Sequence, residues 1–254
     1  MQLDPYKLSA AATNDLYRVP SKAGFVMLKI YRPKFPRWRY EIRKTLHRLG
    51  WRQPVEYRAC RQRMEFERDS LLQWNALSFK APRPLDAPFQ VEGVHLFIQW
   101  IEGRSLGDCF QAETESKYHL FERALTEMAT RHASGIPRKD LRLFHIDAHC
   151  RNLIAAPDGI YHIDFEMGRP WESSLRHAER ELMSFLMSVA TTVGPSVAAD
   201  WLPRVRSLYP HTDVLDRMRR NVHERPFQKW HKLRNARKKR IPGRVTVYDV
   251  VEFL

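Results

Sequence analysis

The sequence contains little of what builds disulfide-rich, glycine-rich or membrane-spanning proteins. Its 254 residues include only 10 Gly and three Cys, and Cys60, Cys109 and Cys150 form no C-x-x-C pair. This argues against a disulfide framework or a zinc site and favours a reducing compartment. No apolar run reaches the roughly 18–20 residues of a membrane span, and the start, MQLDPYKLSA, lacks the apolar core of a signal peptide. We therefore expect a protein that is soluble or lies on a membrane surface.

Positive charge is concentrated in two segments. The net charge is +14; residues 29–68 contain 13 Lys or Arg against four Asp or Glu, and residues 217–240 contain 11 against one. The net charge of these two segments together is more positive than the net charge of the whole chain, so the remaining residues are net acidic. Such localised charge fits phosphate-bearing partners, which are nucleic acid, anionic lipid or a phosphorylated sugar, but it also fits solvated helical faces.

The N-terminal third predicts a hairpin and then basic helices. Residues 14–31 contain two apolar runs around the turn Pro-Ser-Lys-Ala-Gly, which indicates paired strands. A basic stretch follows whose apolar residues recur at helical spacing: Phe35, Trp38, Ile42, Leu46 and Leu49. It predicts either a membrane-surface helix or a helix packed on its own domain. Further predicted elements are helices over 56–78, 115–133, 173–193 and most of 196–240, and a strand over 94–101.

The most specific signal is the spacing H-x-D-x-x-x-x-N from His145 to Asn152. Two short apolar runs follow it, joined by Pro-Asp-Gly, and predict a hairpin. Asn152 at its entrance and Asp164 near its exit would then lie side by side. Mg²⁺ prefers hard oxygen ligands and keeps several waters, so these two side chains could hold it. Phosphoryl transfer needs positioned groups and countercharge, and Asp147 would accept or orient the proton of an acceptor hydroxyl.

This pattern resembles the protein-kinase-like superfamily, with Ile-Asp-Phe-Glu at 163–166 where D-F-G is usual. The finer resemblance is to lipopolysaccharide-core kinases that phosphorylate Kdo or heptose. More distantly, the sequence resembles aminoglycoside kinases and RIO-type atypical kinases. The finer resemblance rests on the strand VMLKIYR at 26–32, the basic insert PRWR at 36–39, and the helix residues FER at 66–68 that lead to APRP at 81–84.

The resemblance spans roughly residues 14–190 and implies an α+β, bilobal, protein-kinase-like fold. The expected N-lobe is a small antiparallel sheet with the basic insert and one key helix, over residues 1–101. The expected C-lobe is mainly helical, over residues 102–254, and carries the catalytic loop, the metal-binding hairpin and the basic C-terminal segment.

The resemblance also implies roles for individual residues. Lys29 would hold the α- and β-phosphates of ATP, and Glu67 would pair with it; Glu65 is a rival that shares less of the apolar face. The sequence departs from the pattern in having no G-x-G-x-x-G before Lys29 and in having Glu166 where glycine is usual. The expected cofactors are ATP and Mg²⁺. The predicted site residues are catalytic Asp147, Asn152 and Asp164, metal-binding Asn152 and Asp164, and cofactor-binding Lys29, Glu67, Gln99 and Ile101. Gln99 and Ile101 would line the adenine pocket.

Three functions compete at this point. The leading one is a kinase that transfers the γ-phosphate to a sugar hydroxyl of a lipid-linked glycan, in the cytoplasm and peripheral to the inner face of the membrane. Anionic lipid would then be a partner of the basic insert. The alternative is a compact atypical serine/threonine protein kinase that binds RNA through residues 217–240. The third is a pseudokinase scaffold, which would need none of Lys29, Asp147, Asn152 and Asp164.

Overall fold

The chain forms two compact units, described here from a computed structural model. The first unit contains Met1–Glu102 and Ile163–Trp171, and the second contains Gly103–His162 and Glu172–Leu254. The structure describes residues 3–10, 14–22, 24–33, 36–49, 56–112, 116–223 and 245–254. Phe35, the side chains of Leu46 and Leu49, and residues 224–240 of the basic C-terminal segment lie outside this description.

The first unit is built on a five-stranded antiparallel sheet. Its strands are β1 Lys7–Ala10, β2 Asn14–Ser21, β3 Gly24–Tyr31, β4 Pro84–Leu85 and β5 His95–Gln99, in the spatial order β1-β2-β3-β5-β4. The predicted hairpin is confirmed as β2 and β3, whose register pairs Ser21 with Gly24. Gly24 has φ +111, a conformation that glycine adopts without a steric penalty. This turn fixes which face of β3 is buried.

Two helices complete the described part of the first unit. They are α1 Arg37–Leu49 and α2 Cys60–Ala76. The predicted helix over 56–78 is confirmed with a later start. Its buried residues recur at helical spacing and include charged ones: Arg63, Glu67, Ser70, Leu71 and Trp74. In α1, by contrast, large apolar side chains are exposed to solvent: Trp38 is 59% exposed and Ile42 is 53% exposed.

The second unit is mainly helical. Its helices are α3 Leu106–Gln111, α4 Lys117–Arg138, α5 Ser174–Val193, α6 Pro195–Trp201, α7 Val205–Leu208, α8 Thr212–His223 and α9 Val247–Glu252. A small antiparallel sheet, β6 Arg104–Ser105, β7 Leu153–Ala156 and β8 Gly159–His162, accompanies them in that spatial order. The apolar faces of α4 and α5 meet in the core, with Phe121 stacked on Phe185 at a centroid distance of 6.0 Å. Burial of such faces is what stabilises helices of this kind.

The predicted α+β class is confirmed, with an antiparallel sheet in one unit and helices dominating the other. Residues 163–171 differ from the predicted division, which placed them in the C-lobe; the structure groups them with the first unit. The physical reason is that their side chains pair with α2 and β3, as described below. None of the helices in the described ranges combines the length and apolar character that a membrane span requires.

Candidate active site

A buried lysine organises the first unit. Lys29 lies in β3 between Leu28 and Ile30, and its side chain turns to the face covered by α2, with 4% of the residue exposed. Its Nζ lies 2.8 Å from Glu67 Oε2 and 2.6 Å from Asp164 Oδ1. A buried ammonium group without a counter-charge would be strongly destabilising. The two carboxylates therefore account for how a lysine can stand in the middle of this strand.

The charge of Lys29 is fixed by its surroundings. Burial alone would lower the pKa of Lys29, because an ammonium ion loses hydration in the interior. The carboxylates of Asp164 and Glu67 outweigh that effect, and the pKa of Lys29 lies above its usual value. The group is thus a permanent cation, as binding of phosphate oxygens requires.

Tyr31 completes the surroundings of Glu67 and was not singled out from the sequence. Its hydroxyl donates to Glu67 Oε2 at a distance of 2.6 Å. Burial and the neighbouring Glu67 carboxylate raise the pKa of Tyr31 well above its ordinary value, so it remains a hydrogen-bond donor. Since residues i and i+2 of a strand share a face, the spacing of Lys29 and Tyr31 is a signal that could have revealed this partner.

Asp164 has an unusual backbone conformation. Its φ is +69, and among the described residues only Ser78 and Lys139 are other non-glycine residues with positive φ. Aspartate visits the left-handed region more readily than most residues, but the conformation still carries a cost, and such outliers cluster at functional sites. The side chain is 36% exposed although one oxygen contacts Lys29. It is therefore accessible to a further ligand such as a cation.

Three carboxylates of the first unit lie together. Glu67, Asp164 and Glu166 each offer an oxygen within 4.8 Å of the others. Lys29 contacts two of them, and the guanidinium of Arg63 contacts Glu166 at 2.9 Å. These cations compensate the negative charge of the cluster. Of the three, Glu67 and Glu166 are buried and Asp164 is the accessible one, so Asp164 is the residue that fits a Mg²⁺ ligand.

The second unit carries Asp147 and Asn152 in one loop. Asn152 Nδ2 donates to the backbone oxygen of Asp147 at 3.0 Å, which leaves the amide oxygen as the atom that a cation could engage. The amide N–H of His149 also donates to Asp147 O at 2.8 Å, and the amide N–H of Asn152 donates to His149 O at 2.8 Å. His149 Nε2 lies 3.6 Å from Asp147 Oδ2. The loop is thus held by its own hydrogen bonds.

A buried polar network of α4 and α5 contacts the residues that precede this loop. Glu181 in α5 accepts from both terminal nitrogens of Arg131, from His132 Nε2 at 2.9 Å, and from the backbone N–H of His145 at 2.9 Å. Arg131 also donates to Leu143 O at 2.6 Å. The network therefore connects α4 and α5 to Leu143 and His145, which precede Asp147 in the chain.

Burial sets the protonation states in this network. Burial by itself would raise the pKa of Glu181, but Arg131 and His132 outweigh it and hold that pKa well below its usual range. Burial lowers the pKa of His132 to about 4, so the imidazole is neutral at physiological pH. None of these three residues was predicted from the sequence as part of the site. Their signal was a charged residue on the apolar face of a predicted helix, which needs a buried partner.

Gln99 and Ile101, predicted to line an adenine pocket, lie at and beyond the end of β5. The amide N–H of Gln99 donates to Arg83 O at 2.8 Å, so that donor is engaged within the sheet. Ile101 is half-buried and follows the strand. Their binding role stays a prediction.

A cation–aromatic layer lies close to this strand end. Arg18 stacks on Phe25 at 3.9 Å and on Trp100 at 4.7 Å, measured from its guanidinium carbon to the ring centroids. Both Arg18 and the indole N–H of Trp100 donate to Glu102, at 2.8 and 2.7 Å.

The predicted site residues thus fall into two groups. The structure brings Lys29, Glu67 and Asp164 together in the first unit, and Asp147 and Asn152 together in the second. The hairpin predicted after Asn152 is confirmed as β7 and β8, with Leu153 paired to His162. The predicted convergence of Asn152 with Asp164, and the catalytic roles, stay predictions.

Comparisons with known proteins give no family. No family model matches the sequence, and no curated protein matches it. Among solved structures, the chain is similar to the crystal structure of the PknI kinase domain of Mycobacterium tuberculosis, with 12% identity and a TM-score of 0.49. The match covers 82% of this chain and 87% of that chain.

The elements themselves define a protein-kinase-like fold. A five-stranded antiparallel sheet carries a strand lysine that pairs with a helix glutamate, and a mainly helical unit carries an H-x-D-x-x-x-x-N loop.

Proposed function

We propose that the protein is an ATP-dependent phosphotransferase. The observation that carries this proposal is the buried Lys29 held at 2.8 Å from Glu67 and at 2.6 Å from Asp164. An ion pair between a strand lysine and a helix glutamate, beside a metal-binding aspartate, is the arrangement that kinases need for activity. A scaffold without catalysis has no use for a lysine buried at this cost.

Each site residue has a role in this proposal. Lys29 binds the α- and β-phosphates, and Glu67, itself fixed by Tyr31, orients it. Asp164 and Asn152 hold Mg²⁺, which supplies countercharge to the phosphates when bound. Asp147 accepts or orients the proton of the acceptor hydroxyl. Gln99 and Ile101 line the adenine pocket.

The proposed acceptor is a sugar hydroxyl on a lipid-linked glycan. Two features support it: the resemblance of the strand, insert and helix to lipopolysaccharide-core kinases, and the exposed face of α1. That face presents Trp38 and Ile42 one helical turn apart, with Arg37 and Arg39 beside them, all exposed. Aromatic and aliphatic side chains flanked by arginines suit the interface of an anionic membrane. The proposed location is the cytoplasm, peripheral to the inner face of the membrane.

Mg²⁺-dependent binding of ATP tests the proposed activity. A ligand at 100 times its Kd stabilises a protein by about 2.7 kcal/mol, which corresponds to a rise in Tm of about 5–11 °C for a chain of this size. We expect this rise for the wild type with ATP and Mg²⁺ and not with ATP and a chelator. Asp164→Asn should abolish it. The matched control Asp69→Asn, which changes a half-exposed aspartate paired with Arg68, should keep it.

The acceptor needs a separate assay. We expect phosphate transfer from labelled ATP to core oligosaccharides carrying Kdo or heptose, and none to a generic protein acceptor. Transfer to a serine or threonine of a protein, together with salt-sensitive RNA binding, would favour the alternative protein kinase. If the wild type shows no Mg²⁺-dependent shift, the phosphotransferase proposal fails.

The membrane proposal is tested with vesicles. Co-sedimentation with vesicles containing anionic lipid should exceed that with zwitterionic vesicles, and it should fall as salt is raised. The double variant Trp38→Ala with Ile42→Ala should lose most of the binding while its Tm stays within a few degrees of the wild type. Unchanged vesicle binding by that variant would exclude the exposed face of α1 as the membrane contact.

A further inference from the structure

Glu166 stands where the sequence pattern of kinases has glycine, and it is not a surface residue. It is 4% exposed, and its Oε2 accepts from Arg63 Nη1 at 2.9 Å and from Asn14 Nδ2 at 2.9 Å. Arg63 is 3% exposed and also contacts Asn14 Oδ1 at 3.2 Å and the backbone oxygen of Arg32. The carboxylate of Glu166 thus lies in a buried polar group formed by β2, α2 and the segment Ile163–Trp171.

The helix α2 presents opposite charges toward two acidic residues of this segment, a cation to Glu166 and an anion to the lysine that contacts Asp164. Arg63 and Glu67 are four residues apart and share one helix face. Arg63 contacts Glu166, and Glu67 contacts Lys29, which in turn contacts Asp164. Each of the two acidic residues of Asp-Phe-Glu is therefore connected to α2 by charge, one directly and one through Lys29.

The residue between them is connected to the same helix by packing. Phe165 is 4% exposed, and its ring meets the ring of Trp74 edge-on, at a centroid distance of 4.7 Å and an interplanar angle of 75°. Aromatic pairs in this geometry are favourable beyond their burial. Three consecutive residues thus contact one face of α2 or its lysine partner.

From these contacts we propose that Arg63 and Glu166 are positioning residues, which fasten the segment Ile163–Trp171 to α2 and hold Asp164 beside Lys29 before any ligand binds. The role of Asp164 as a metal ligand rests on the proposed function. The attachment of the segment Ile163–Trp171 to α2 does not rest on it. A glycine at position 166 would give the backbone of this segment more conformational freedom. The buried pair of Arg63 and Glu166 opposes movement of the segment away from α2, because moving Glu166 away would leave Arg63 buried without its counter-charge.

Glu166 is not itself a metal ligand in this proposal. Its Oε2 already accepts two N–H donors, and only 3% of its side chain is exposed, against 36% for Asp164. The acidic cluster therefore divides into one accessible carboxylate that can bind a cation and one buried carboxylate that holds the first in place.

Hydrogen exchange without nucleotide tests the fastening directly. In Glu166→Gln we expect amide exchange in the peptide covering residues 163–168 to accelerate about tenfold or more, while exchange in α5 stays as in the wild type. The matched control Glu92→Gln, an exposed glutamate of the same unit, should leave both unchanged. Exchange in Glu166→Gln within twofold of the wild type would overturn the proposal.

A second variant covers the case in which Glu166→Gln fails to fold, which accelerated exchange in α5 would reveal. In the double variant Arg63→Met with Glu166→Gln, no buried charge is left alone. We expect native exchange in α5 together with fast exchange in residues 163–168. Slow exchange in that segment would overturn the proposal just as clearly.

A functional readout separates this inference from the proposed activity. If the wild type binds ATP with Mg²⁺, the Mg²⁺ concentration for half-maximal binding should rise about tenfold in the double variant, because Asp164 is less often in place. An unchanged Mg²⁺ requirement would overturn positioning of Asp164. If the wild type binds no nucleotide, the proposed function fails, and the exchange experiment alone decides whether the pair fastens the segment.

Discussion

Replacing Glu181 by glutamine should expose how much the helical unit depends on its buried network. Glu181 is completely buried and accepts from Arg131, His132 and the backbone of His145. Glutamine has the same size but no charge, and its amide group would place donors against the donors of Arg131. Because Arg131 is only 2% exposed, it would lose the charge of Glu181 while it stays buried.

The magnitude follows from the geometry. Removing one partner of a buried ion pair costs about 3–5 kcal/mol, and each kcal/mol lowers the Tm of a chain of this size by about 2–4 °C. We therefore expect Glu181→Gln to lower the Tm by about 6–20 °C and to reduce the urea midpoint in proportion.

Differential scanning calorimetry and urea unfolding followed by circular dichroism would measure the effect. The control is Glu127→Gln in α4, which changes a partly exposed i,i+4 pair with Arg123 and should cost no more than about 0.5 kcal/mol. The double variant Arg131→Met with Glu181→Gln should recover part of the loss, because it also removes the buried cation. If Glu181→Gln lies within about 1 kcal/mol of the wild type, the assignment of this network as a main support of the unit is refuted.

Three further predictions concern stability, each measured by urea unfolding. The pKa of His132 is about 4 in the folded protein, against an ordinary value of 6.5. Between pH 6.5 and pH 4 the unfolded state therefore binds more protons, and the free energy of unfolding falls as the pH drops through this window. His132→Asn should remove about 2 kcal/mol of the stability that the wild type loses between pH 7 and pH 5, and an unchanged loss would refute the burial of a neutral His132. Gly103→Ala should destabilise by about 1–3 kcal/mol, because a Cβ there would lie 2.3 Å from the backbone oxygen of Ala155; stability equal to the wild type would contradict this. Leu28→Ala, at a fully buried position, should cost about 2–5 kcal/mol, whereas Leu8→Ala, 47% exposed, should stay within about 0.5 kcal/mol, and equal effects of the two would be inconsistent with the sheet packing.

The Lys29 cluster shows what local pattern can predict. A lysine inside an apolar strand needs a partner, and helical periodicity turns Glu67, rather than Glu65, toward the apolar face. The structure places Glu67 against Lys29. The pair between Arg63 and Glu166 could not be found in this way, because 103 residues separate its members and no local pattern joins them.

The sequence predicted where strands occur more accurately than where they end. The apolar run around β5 predicted a strand to Ile101, but the strand ends at Gln99, opposite Val26 of β3. In the same way, the apolar run around β8 continues to Phe165, while the strand ends at His162, opposite Leu153. A strand ends where its ladder pairing with a neighbour stops, and this point is not set by the hydrophobicity of the run itself.

The interrupted first unit has a consequence for the order in which the protein can be made. Lys29 is joined to Asp164 across 135 residues of chain, and the stretch Gly103–His162 between them belongs to the other unit. At 5–20 residues per second, a ribosome needs on the order of ten seconds to supply that carboxylate. During this interval the nascent sheet carries a lysine with only one of its two acidic partners. A fragment ending at Glu102 would preserve that unfinished state permanently, so we expect it to need residues 163–171, supplied as a peptide or a fusion, before it folds as it does in the whole chain.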